Sequence, residues 1–205
     1  MRVFIPFSRF TRDCDFIMRK KNGWNLDKLK AVMPKGYSIE SEQRNEKYGF
    51  VRWVKLVSHD KARVKVSIDF MEGEIRGRES SEVILIDESM IKNARFESIS
   101  VANKDIRVTV PDYRDYFIMK MISSRPSDIR DIASLVENNG IPSGLTKRIE
   151  EILPHPSLFK QKINQELIPE IKKRTFLDSW KGIFATTRYT DNDKEKVIQQ
   201  LEKLV

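Results

Sequence analysis

The chain has 205 residues, 40% of them apolar and 33% charged, enough to bury a sizeable core and too apolar for a disordered polyelectrolyte. Its net charge of +8 favours anionic partners such as nucleic acid, nucleotide or an acidic protein, although lysines and arginines that only solvate helices give the same sum. A single cysteine, Cys14, excludes an internal disulfide, and two histidines argue against a His-rich metal centre. No apolar run approaches the roughly 18 residues of a membrane span, so no membrane partner and a cytoplasmic location are expected.

In chain order, residues 12–18 predict a strand. Asn25 is placed to cap a short helix over 26–33, which Pro34 and Gly36 close. A strand over 37–43 precedes a long hairpin with arms at 48–58 and 62–71 and a turn at His59, Asp60 and Lys61. The second arm alternates: Val64, Val66, Ile68 and Phe70 predict a core face, and Lys65, Ser67 and Asp69 face the other way. Residues 72–82, EGEIRGRESSE, are charged and contain glycine, which predicts an exposed loop. Two further strands are expected at 96–101 and 105–110.

From Pro111 the pattern becomes helical, with helices expected over 112–122, 126–138, 143–153, 157–173, 175–184 and 191–204. Pro126 suits a first helical position and Gly140 a stop, while Ile129, Ile132, Ala133 and Val136 form an apolar stripe. The expected class is therefore α+β. A sheet-rich part covers residues 1–110 and a helical part 111–205.

The chemistry begins in RFTRDCDF, residues 9–16. On a strand Asp13 and Asp15 share one face and Cys14 lies on the other, where a buried thiol is expected. Two like charges at that spacing repel and aspartate is a poor strand former, so a cation offsets the arrangement or the segment is a solvated loop. If the strand carrying Asp69 pairs beside 12–18, Asp69 joins the other two acids. Three convergent carboxylates suit a divalent cation such as Mg²⁺ or Mn²⁺, which binds hard oxygens together with substrate phosphates. The plainer alternative leaves Asp13 and Asp15 flanking a turn and Asp69 facing solvent. Further on, Lys120 stands among apolar neighbours in FIMKMI, and Arg125, Asp128 and Asp131 follow in R-x-x-D-x-x-D spacing.

RFTRDCDF followed by VKVSIDF (64–70) resembles the D-x-D and third-strand acid of the nucleotidyltransferase superfamily. DIRVTVPDYRDYFIMKMISSRPSDIRDIASLV (105–136) is similar to the abortive-infection, AbiEii-like toxin branch, and the resemblance extends over about residues 9–136. It implies a nucleotidyltransferase-like mixed sheet with helices. Asp13 and Asp15 would bind the metal, with Asp69 as third ligand or base. Lys120 would reach nucleotide phosphates with Arg125 beside it, and Asp131 would orient Lys120 or sit at the edge of the site. The implied activity moves a nucleoside monophosphate from a nucleoside triphosphate to an acceptor hydroxyl on RNA, tRNA included, or on protein. A partner antitoxin is implied as well.

Members of that branch place a Gly-Ser or Gly-Gly turn before the first aspartate, where backbone N–H groups cradle the triphosphate. Here the first glycine is Gly23. A second reading follows: a catalytically degenerate module that keeps the fold and binds nucleic acid or a protein partner. On either reading, Lys172-Lys173-Arg174 is the tail cluster best suited to a phosphate.

Overall fold

The computed structural model describes residues 3–5, 13–20, 23–59, 62–101 and 104–205. The expected turn residues Asp60 and Lys61, and residues 6–12 just ahead of Asp13, lie outside these. Contacts group the chain into two compact units. One comprises Phe10–Arg76 with Ile84–Ile91, the other Met1–Arg9, Gly77–Val83 and Lys92–Val205.

The first unit carries β1 (Asp13–Met18), α1 (Leu26–Val32), β2 (Ser38–Arg44), β3 (Gly49–His59) and β4 (Ala62–Glu72). The strands form one mixed sheet in the order β1-β4-β3-β2. β2, β3 and β4 are antiparallel, and β1 joins the edge of β4 in parallel. The alternation of β4 has the expected consequence: Ile68 and Phe70 pack with Val51 and Trp53 of β3, and Leu26, Leu29 and Met33 on and just after α1 close over them. The three-residue strands β5 (Glu74–Arg76) and β6 (Val83–Leu85) pair with each other, and α2 (Glu88–Lys92) follows. Residues 72–82 are thus not a wholly exposed loop; Glu74 and Glu82 are buried.

Two local expectations need correction. Asn25 occupies the N-cap of α1, but its side chain makes no cap bond. The buried carboxylate of Glu72, at the end of β4, accepts from the backbone N–H groups of Asn25 (2.9 and 3.0 Å) and Leu26 (3.1 Å) and from the Asn25 amide (2.9 Å). A carboxylate at a helix N-terminus suits both the orphan donors and the dipole. Cys14 is exposed, because among the described residues β1 lies at the sheet edge with β4 alone beside it.

The second unit pairs β7 (Arg95–Val101) with β8 (Lys104–Val110) in an antiparallel hairpin. Then come α3 (Tyr113–Ser123), α4 (Pro126–Asn139), α5 (Leu145–Ile152), α6 (Ser157–Lys162), α7 (Ile168–Lys172), α8 (Phe176–Ile183) and α9 (Asp191–Glu202). A π-turn, Ile163–Leu167, links α6 to α7 just ahead of Pro169, whose missing N–H prevents a regular ladder. The apolar stripe of α4 (Ile129, Ile132, Ala133, Val136) is buried, and Ser134 beside it accepts from Trp180 Nε1 (2.7 Å) and Tyr189 Oη (2.9 Å). Lys162 and Glu82, both buried, pair at 2.5 Å. Among the described residues no helix is long and apolar enough to cross a membrane.

Candidate active site

β1 and β4 run side by side with Asp13 opposite Ser67 and Asp15 opposite Asp69. Residues opposite one another in a ladder share a face, so this register sets all three aspartates on the sheet face away from α1. The pairing on which their convergence depends is therefore present. Ser67 Oγ donates to Asp13 at 2.9 Å, which turns that carboxylate toward β4. Phe16 and Phe70 stack on the opposite face with ring centroids 5.2 Å apart, pinning the register from below.

The residue that sequence reasoning misses is Arg52. It lies opposite Asp69 on β3 and holds that carboxylate with two donors, Nε at 2.8 Å and Nη2 at 2.5 Å. The Arg52 guanidinium is held well above its ordinary range, chiefly by this hydrogen bond to Asp69, with Glu40 and Asp13 adding attraction. Arg52, Asp13, Glu40, Lys65 and Ser67 line an open cavity of about 330 Å³. Asp69, at 5% exposure, is far less accessible than the exposed Asp13 and Asp15.

These carboxylates fit a divalent ion by donor type and by face, since hard oxygens from two neighbouring strands point the same way. Among the described residues no three His, Cys, Asp or Glu side chains stand close enough together to form a complete ion cage. Arg52 occupies the charge of Asp69 in this arrangement.

The other anticipated residues belong to the second unit. α3 ends at Ser123, Ser124 turns the chain in the left-handed region (φ 41°), and Pro126 starts α4. This tight turn brings Lys120 against the start of α4. Its ammonium meets Asp128 at 2.6 Å and Asp131 at 2.9 Å, both carboxylates being fully buried. Asp128 also accepts from Ser123 Oγ (2.8 Å) and Arg125 Nε (2.6 Å). Burial alone disfavours the Lys120 ammonium, but Tyr116, Asp131 and Asp128 outweigh it and hold its pKa above the usual lysine range. Burial also works against the Asp128 carboxylate, yet Lys120 and Arg125 outweigh it and bring its pKa down to about 2. Asp128 thus joins Asp131 in holding Lys120 and takes two further donors.

The family described as "Nucleotidyl transferase AbiEii toxin, Type IV TA system" matches residues 1–201. No curated protein matches. Two solved structures from Helicobacter pylori are similar. JHP933 has 12% identity and a TM-score of 0.47, with 99% of this chain and 79% of that one covered. A chain provisionally described as a nucleotidyltransferase has 13% identity and a TM-score of 0.39, with 97% and 83% covered. The match along 1–201 takes in both units, with the three sheet aspartates and the lysine hub inside it, and on that extent the chain belongs to the AbiEii nucleotidyl transferase toxin family of type IV toxin–antitoxin systems.

Proposed function

We propose that this chain transfers a nucleoside monophosphate from a nucleoside triphosphate to a hydroxyl of RNA, in the cytoplasm, under the control of an antitoxin protein. The observation that carries the reading is the parallel register of β1 on β4, which sets Asp13, Asp15 and Asp69 on one sheet face. Asp13 and Asp15 would hold the divalent ion, Mg²⁺ or Mn²⁺, and Asp69 would be its third ligand or serve as base. The ion supplies neutralisation of phosphate charge. The acceptor oxygen bonds to the α-phosphorus, the bond from that phosphorus to the bridging oxygen of the β-phosphate breaks, and pyrophosphate leaves. Where Asp69 serves as base, with Arg52 drawn off its carboxylate, it would take the hydroxyl proton. Lys120, oriented by Asp131, and Arg125 are assigned to the nucleotide phosphates.

The test is transfer of label from an α-³²P nucleoside triphosphate to RNA, with Mg²⁺, with Mn²⁺ and with chelator. Wild-type protein labels RNA only with an ion present. Asp13→Asn and Asp15→Asn fall to background while their thermal midpoints stay level or rise, because carboxylate repulsion is relieved. Absence of transfer by wild type with either ion overturns the reading, and label on protein alone moves the acceptor to protein.

The Arg52–Asp69 pair favours a second reading, in which a guanidinium stands permanently where the ion's charge belongs and the fold serves as a binding module. Calorimetric titration with Mg²⁺ and a non-hydrolysable triphosphate separates the two, since only the transferase takes up the ion with the nucleotide.

A further inference from the structure

We infer that the outer half of the β3–β4 hairpin is the docking surface for a nucleic-acid strand, which it leads toward the three aspartates. The inference rests on the transferase reading for its orientation and on the hairpin itself for its chemistry. The 11-residue strands of this hairpin extend well beyond the acids. On the face that carries Asp69 the residues of β4 run outward as Ser67, Lys65 and Arg63, flanked across the ladder by Val54, Leu56 and Ser58 of β3. At a strand's rise, Lys65 lies ~13 Å and Arg63 ~20 Å from Asp69 along one straight strip.

Burial changes sharply along that strip. Ser67 and Asp69 are buried, whereas Arg63, Lys65 and Ser58 are exposed and Leu56 is 63% exposed. The cations of this face are Arg63 and Lys65; Lys55 lies on the other face, opposite Val66. Lys65 shares its charge with Glu40 on β2 and also lines the cavity beside Asp13, so the basic strip meets the acidic one there. Two cations spaced along one face, with exposed Leu56 across the ladder from Lys65, suit a phosphate backbone whose bases rest on Leu56. An acidic protein would satisfy the charge but would find no apolar groove, only single side chains beside a ladder. RNA is therefore the committed occupant.

The experiment measures anisotropy of a fluorescein-labelled single-stranded RNA of mixed sequence against the full chain at several salt concentrations. Transfer is assayed in parallel. The Arg63→Glu/Lys65→Glu variant binds RNA at least about tenfold more weakly, and its log–log salt slope is shallower by about 1.4, the value for two lost phosphate contacts. Lys28→Glu/Lys35→Glu makes the same charge change on or near α1, which packs on the other face, and leaves affinity within about twofold. Unchanged affinity in the Arg63/Lys65 variant, or equal losses in both double variants, overturns the docking surface whatever transfer shows. Wild type that binds RNA through these residues and transfers nothing overturns the transferase reading and leaves the surface standing.

Discussion

Asp128 is the third residue of α4, with its carboxylate shared among Lys120, Ser123 and Arg125 and none of it exposed. Its folded pKa of about 2 lies below the ordinary 3.8, so the stabilisation it brings is complete above pH 3.8 and is lost as pH falls through about 2. That difference corresponds to about 2 kcal/mol. Urea midpoints measured between these limits should fall steeply for wild type and much less for Asp128→Asn, which starts lower at neutral pH. Lys120 shows the opposite sign. Its raised pKa gives a contribution that is whole below the ordinary lysine value of 10.5 and disappears as pH rises above it. With two acids already at its ammonium, Lys120 offers a phosphate a fixed direction more than a free charge.

At the scale of elements, α1 lies so close to β3 that only glycine fits at position 49. A Cβ there would stand 2.6 Å from the Trp24 ring and 2.7 Å from Leu26 Cδ1. Gly49→Ala should therefore lower stability by about 1–3 kcal/mol, measured by denaturant unfolding, with Trp24 fluorescence shifted in the folded baseline. The helices of the second unit are legible in sequence because their signals are local: Pro126 at a start, Gly140 at a stop, an apolar stripe between. β5, β6 and α2 are not, because elements of three to five residues are too short to show a period and long-range pairing decides them. The cap on α1 is invisible for the same reason, coming from Glu72, 47 residues beyond Asn25. Arg52 was a count away. With His59 opposite Ala62, the residues seven positions farther along each arm are Arg52 and Asp69. An arm ending at Ser58 instead sets Val51 there, and a slip of one flips the face. The aspartates themselves were legible, since D-x-D and an alternating strand specify a face without specifying a partner.

For the whole molecule, the units interleave along the chain, and the short stretch Gly77–Val83 belongs with residues far beyond it. Glu82 anchors that stretch: its carboxylate accepts from Lys162, 80 residues away, and from the N–H groups of Arg78 (2.6 Å) and Glu79 (3.2 Å). Glu82→Ala strands a buried ammonium with Glu166 as its remaining partner, at a cost of about 3 kcal/mol. Adding Lys162→Met should recover about half of that loss, because the backbone donors stay unsatisfied. Chemical denaturation of the single and double variants measures both.

The edge strand β1 also sets a timetable. Asp13 and its partner Ser67 are 54 residues apart, and β1 can dock only after the hairpin that supplies β4 exists. Until β4 has left the ribosome and paired with β3, Asp13 and Asp15 have no strand to lie beside. Pairings so distant in sequence form late. Each round of translation therefore includes an interval in which the strand carrying Asp13 and Asp15 exists without the neighbour that fixes their face.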